Sequence, residues 1–209
     1  MDSVKPYALM PAPVYVYLRR NGKFLSVKAP MDFFTPEELQ RFRGYEHFFM
    51  PKSVDAIADL RTAGRRVRAL MLWDPTSKQF GPETGQTRMA PAPFELSDAV
   101  IRILGGLWTS ECKVRPFSVT ILVDEICDVL PAELLLRARD EDVIRFETAL
   151  FRSSWVVFLA LHLGFCDLKF LNRLRERAFV AGFEGSNPFA AHPELDELYQ
   201  LASLSLESA

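Results

Sequence analysis

WVVFLALHLGFCDLKFLNRLRERAFVAGFEG, residues 155–185, reads as two helices joined by a tight turn. From Trp155 to Leu161 the chain is apolar on nearly every side of a helix. Such a helix is either the centre of a core or one that also packs against another subunit. Gly164 supplies a C-terminal stop, and Asp167 supplies the N-cap of the next helix. That second helix is expected to run out at Ala181-Gly182.

Working outward, Asp140 or Asp142 starts the long apolar helix that ends at Gly164. Val119, Leu122, Val123, Ile126 and Leu130 keep helical spacing until Pro131 interrupts it. Ser97 is expected to cap a helix with Val100, Ile103, Leu104 and Leu107 on one stripe. A last helix carries Leu195, Leu198, Tyr199 and Ala202 on one face, to cover its own domain or a partner. Residues 94–209 therefore read as a helical domain of about five or six helices.

Residues 1–76 read differently. Val14 to Leu18 and Phe24 to Val27 alternate around Asn21-Gly22, the strongest short hairpin signal. A two-residue loop would set Arg20 against Lys23, Leu18 against Leu25 and Val16 against Val27, the last two pairs on the buried face. Thr35-Pro36-Glu37-Glu38 is a capping box that opens a short helix stopping at Gly44. Tyr45 to Met50 reads as a third strand. Ser53 caps a further helix, which Gly64 is expected to close, and Val67 to Trp73 is a buried strand or a continuation of that helix. Residues 77–93, polar and rich in Gly, Pro and Thr, form a loop or linker. The predicted fold class is α+β: a small hairpin, helix and strand unit followed by a mostly helical domain.

The 209 residues are 49% hydrophobic and include 17 Phe, ample for a core and against disorder. A net charge of −2 gives no global attraction to nucleic acid or anionic membrane. The longest apolar run falls far short of the ~20 residues that span a bilayer, and the start, MDSVKPYALM, shows no signal peptide. Cys112, Cys127 and Cys166 are too scattered for a disulfide framework or a CxxC motif, so buried free thiols in a cytoplasmic protein are expected.

Residues 155–185 resemble the start of the HD-GYP domain, the bacterial module that hydrolyses cyclic-di-GMP. The N-terminal stretch PVYVYLRRNGKFLSVKAPMDFFTPEELQRFRGYEHFFMP is similar to the small regulatory segment that precedes HD-GYP domains in some predatory and related bacteria. The two resemblances occur in the right order and cover about a third of the chain. In the family the second helix ends in a His-Asp pair that binds catalytic metal; the matching positions here are Ala181 and Gly182. The helix before it should carry an early histidine, but its start reads Phe151-Arg152-Ser153-Ser154, and His162 comes too late. A hydrolytic metal centre needs several convergent His and Asp ligands, and the chain has three histidines. The resemblance implies a degenerate, truncated HD-like helical bundle with no catalytic residues, metal or cofactor. It further implies a regulatory or adaptor protein in cyclic-di-GMP-linked signalling.

Three groups of side chains are candidate binding surfaces. They are the hairpin basics Arg19, Arg20 and Lys23, the aromatics Tyr45, Phe48 and Phe49, and the cluster Arg61, Arg65, Arg66 and Arg68. Arg61 and Arg65 satisfy the RxxxR pattern with which PilZ domains grip cyclic-di-GMP, since a planar guanidinium pairs with phosphate and stacks on guanine. The companion motif fails at Asp74-Pro-Thr-Ser77, and basic residues near a helix C-terminus are ordinary. His47, His162 and His192 lie at no metal-ligand spacing and read as packing or capping residues. No nucleophile elbow or phosphate loop is present. The expected function is protein–protein contact with self-association as a homodimer; the alternative is a cyclic-dinucleotide effector that does not hydrolyse its ligand.

Overall fold

The computed structural model describes residues 4–45, 47–51, 55–72, 93–107, 116–187, 189–190 and 193–207. Among them are one two-stranded sheet and eight α-helices, an α+β arrangement. Strands β1 (Val14–Leu18) and β2 (Lys23–Lys28) are followed by α1 (Pro36–Arg41) and α2 (Asp55–Met71). Then come α3 (Pro93–Leu107), α4 (Pro116–Ile126), α5 (Ala132–Glu141), α6 (Val143–His162), α7 (Leu168–Glu184) and α8 (Pro193–Glu207).

Helix α6 is the axis. Ten of its residues are buried, including Leu150, Val157 and Leu161, and α3, α4, α5, α7 and α8 all pack on it. Asp142 is the N-cap that starts it, accepting from the amides of Ile144 and Arg145, both at 3.0 Å. A Schellman turn ends it: Gly164, at φ +88, donates to Leu161 at 3.1 Å while Phe165 donates to Ala160 at 3.0 Å. Asp167 then caps α7 through the amide of Phe170. One cluster joins α6 to α2, α3, α4, α7 and α8; a second joins it to α5, α7 and the N-terminal residues Leu9, Met31 and Phe33. The N-terminal unit thus shares a core with the helices.

Two glycines and a serine behave differently from the sequence expectation. Helix α7 does not end at Ala181-Gly182; it continues to Glu184, and Gly185 at φ +72 ends it. Gly182 lies against Ala149, whose Cα would stand 3.3 Å from any Cβ placed there, so the residue serves close packing of α7 on α6. Gly64 does not close α2 either. A Cβ at that position would meet Glu125 Cβ at 2.7 Å and the Leu122 carbonyl oxygen at 2.9 Å, so here too glycine admits a neighbouring helix. Residues 67–71 continue α2, with Val67 fully buried. Ser97 lies inside α3, which begins earlier, at Pro93, and its Oγ lies against Gly164. Helix α5 had no sequence expectation. Ser53, Trp73 and residues 77–92 lie outside the described residues.

The hairpin also differs. Leu18 pairs with Lys23, Tyr17 with Phe24 and Val16 with Leu25. The loop is therefore Arg19–Gly22, closed by Asn21 N–H donating to the Leu18 carbonyl at 3.1 Å. Gly22 takes positive φ and Asn21 does not. A type I turn on Arg19-Arg20 followed by one left-handed glycine accounts for this, where a two-residue type I′ loop would need both. Of the four residues expected on the buried face, Val16 is buried and Leu18 and Val27 are partly buried, but Leu25 is 51% exposed. The expected third strand reduces to a single bridge, Phe49 to Tyr15, with both backbone hydrogen bonds at 2.9 Å.

The capping box at Thr35 forms as expected. The Glu38 amide donates to Thr35 Oγ1 at 3.2 Å, and the Thr35 amide donates back to Glu38 Oε2 at 2.9 Å. Glu38 also meets the buried Lys28 at 2.9 Å; Lys28 reaches Asp32 at 3.2 Å, and Asp32 meets Arg139 of α5 at 3.4 Å. Burial would raise the Glu38 pKa, but the Thr35 amide and Lys28 outweigh it and hold the carboxyl below its ordinary value. A carboxyl held low contributes stability above its unfolded pKa and loses it as pH falls through the folded one. Glu38→Gln should therefore flatten the acid limb of a Tm-against-pH profile below about pH 4.3 and change little of its slope near neutrality. Calorimetry checks this.

Opposite signs are expected at two helical glycines. Gly64→Val should lower unfolding free energy by about 1–3 kcal/mol through overpacking. Gly105→Ala, with open space around it, should raise it by about 0.5–1 kcal/mol. Denaturant melts of both variants measure the difference.

Candidate functional site

The basic cluster of α2 is engaged inside the fold. Glu125 of α4 receives Arg61 at 3.1 Å and Arg65 at 3.0 Å, one on each carboxylate oxygen. The Arg61 contact is an ion pair without hydrogen-bond geometry at Nε. Arg68 donates to the Ile126 carbonyl at 2.7 Å and pairs with Asp128 at 2.5 Å. It thereby neutralises the C-terminal end of α4, where unsatisfied carbonyls accumulate. From the other side Arg175 of α7, 1% exposed, meets Asp124 at 3.0 Å and the Asp128 carbonyl at 3.1 Å. Asn172 exchanges hydrogen bonds with Asp128 through its amide and the backbone.

These contacts rivet α2 and α7 onto α4. Arg66 alone of the cluster turns away, toward a shallow groove of about 430 Å³ beside Arg102 of α3. The RxxxR pair that could grip a phosphate shares one carboxylate instead. Beside this network Cys127 is buried, and burial pushes its thiol up to about 11. Cys166 is half-buried and shifted the same way for the same reason. Both fit the inert thiols expected from sequence.

The hairpin brings other candidates together. Arg19, Arg20, Tyr45 and Phe49 line one groove of about 520 Å³, with Tyr17 and His47 beside them. Lys23 sits at the hairpin tip opposite Leu18, outside that groove. Phe48 turns inward and stacks on Phe34 at 5.0 Å, so it belongs to the small core under the hairpin rather than to its surface. Tyr45 rests against Phe42.

Sequence reasoning missed the aromatic plate on the outer face of the sheet. Tyr17 and Phe24, opposite each other across the strands, have ring centroids 5.1 Å apart. Phe49 meets Phe24 edge-on at 5.2 Å, and His47 lies beyond it at 6.4 Å. Tyr17, Phe24 and Phe49 remain 39%, 57% and 39% exposed, flanked by exposed Leu25 and Met50. The alternation of β1 and β2 contained the signal, but the misread loop placed it on the wrong register.

Among the described residues no group of three or more His, Cys, Asp or Glu could hold a metal, and no helix is long and apolar enough to cross a membrane. His162 is exposed and pairs Nδ1 with the Phe158 carbonyl at 2.8 Å at the end of α6. Cys112 and His192 lie outside the described residues.

If the α4 rivet is structural, Arg175→Met should cost about 3–5 kcal/mol by leaving Asp124 uncompensated. Adding Asp124→Leu should recover most of that loss. Urea melts of the single and double variants provide the cycle.

No family model, curated protein or solved structure matches the chain.

Proposed function

We propose that the protein is a non-catalytic adaptor that works by binding another protein through the outer face of its hairpin. The supporting observation is the plate of Tyr17, Phe24 and Phe49, large rings left half-exposed on a small, well-anchored sheet. Covering half of such a ring contributes roughly 1 kcal/mol, and clustered aromatics rimmed by polar groups are the usual composition of interface hot spots. Arg19 and Arg20 supply that rim. On the HD-GYP resemblance, the setting we propose is cyclic-di-GMP-linked bacterial signalling.

The geometry favours this reading over a cyclic-dinucleotide effector. A dinucleotide gripped by Arg61 and Arg65 would have to displace Glu125, which both already hold. That would unfasten α2 from α4.

Affinity capture with the full chain tests the proposal, comparing wild type with Phe24→Glu, Phe49→Glu and Arg66→Ala at matched thermal stability. Wild type and Arg66→Ala should retain a common partner that both glutamate variants lose at least about tenfold, the scale of a hot-spot truncation. Equal retention by all four would remove the hairpin surface. Hydrolysis of cyclic-di-GMP by purified protein with stoichiometric metal would remove the non-catalytic reading.

A further inference from the structure

We infer that the outer edge of β2 is a strand-addition site for an extended, acidic segment of a partner protein. This rests on the adaptor reading and specifies how the partner is held. Tyr15 gives both its N–H and its C=O to Phe49. Backbone groups alternate in direction along an antiparallel strand. Val16 and Leu18 therefore turn theirs toward β2, opposite Leu25 and Lys23. It follows that Phe24 and Ser26 turn theirs away from β1. Among the described residues no backbone group meets them.

Exposed edges of this kind are normally blunted by charges, proline or a bulge. Here the one bulge lies at the far end of the hairpin, between Val14 and Tyr15. Lys28 is turned inward to Glu38 and Asp32. Phe24 and Leu25 flank the open edge on opposite faces and are both more than half exposed. An added strand of β-branched residues would cover Phe24 with one alternate set of side chains and Leu25 with the other.

Charge selects the occupant. Arg19, Arg20 and Lys23 gather at the hairpin tip of a chain whose net charge is −2. Arg20 and Lys23 have no ion-pair partner among the described residues. A segment with carboxylates at the end lying beside the tip complements this patch. A second copy of β2, KFLSVK, brings no carboxylate to it.

The experiment uses the full chain and two fluorescein-labelled nine-residue peptides, Glu-Glu-Thr-Val-Thr-Val-Thr-Val-Thr and its Lys-Lys counterpart, read by fluorescence anisotropy. The acidic peptide should bind saturably and about tenfold more tightly than the basic one, and Arg20→Glu with Lys23→Glu should reverse that preference. Ser26→Pro removes only an outward N–H, a place where an edge strand accepts proline, and should weaken binding about tenfold. Hydrogen exchange at the Phe24 and Ser26 amides should slow in the complex. No saturable binding of the acidic peptide, or equal binding by Ser26→Pro, would overturn the inference. So would self-association that the same proline abolishes. If Phe24→Glu loses the captured partner while Ser26→Pro keeps it, the adaptor reading stands and strand addition alone fails.

Discussion

From Trp155 to Leu161 helix α6 presents apolar side chains on nearly every side, so the rest of the chain must enclose it. Five helices do so, and α7 packs tightly on it where Gly182 rests on Ala149. At that point even one methyl group would have to push a backbone aside. The twenty-residue length of α6 gives both ends a role. Its start, capped by Asp142, packs with α5 and α7 over Leu9, Met31 and Phe33 of the N-terminal unit. Its remainder packs with α2, α3, α4 and α8.

Charge placement follows from the same enclosure. The only charged residues of helix α4 are Asp124 and Glu125, with Asp128 just beyond its end. Those carboxylates face the helices that flank it, and arginines on α2 and α7 meet them. A second network, Lys28, Asp32, Glu38 and Arg139, ties the hairpin, α1 and α5 together. The buried members, Arg175 with Asp124 and Lys28 with Glu38, add little net stability over an apolar replacement, but removing one partner is costly, so they fix which element sits where. The densest positive charge in the sequence is therefore largely paired with carboxylates of α4 and its end, whereas Arg20 and Lys23 at the hairpin tip have no ion-pair partner among the described residues.

What could be read from sequence was whatever depends on neighbours within a few residues. Asp142, Asp167 and the Thr35 capping box announce helix starts because the amides they bind lie two or three residues on. The stripes of α4 and α8 are local periodicities, and both are buried as expected. Gly64 and Gly182 misled because a glycine that ends a helix and one that admits another helix look alike until the neighbour is known. Gly64 is met by Leu122 and Glu125, some sixty residues away. The arginines of α2 could be recognised as basic but not as paired, for the same reason. In the hairpin, Asn21-Gly22 suggested a two-residue loop, yet only Gly22 adopts positive φ, and the resulting shift set Phe24 opposite Tyr17.

That shift gathers Phe24 beside Tyr17 and Phe49 on one face, Leu25 stays half-exposed on the other, and the hairpin is the part of the molecule least explained by its own folding. The most direct measurement is a saturation-substitution scan of the chain scored for folded abundance alone. Arg175, Gly64 and Gly182 should tolerate almost nothing, while Phe24, Leu25 and Phe49 should accept polar residues without loss of folded protein. Intolerance at those three hairpin positions equal to that at Phe33 or Leu150 would mean the plate serves the fold, and the binding surface would have to lie elsewhere.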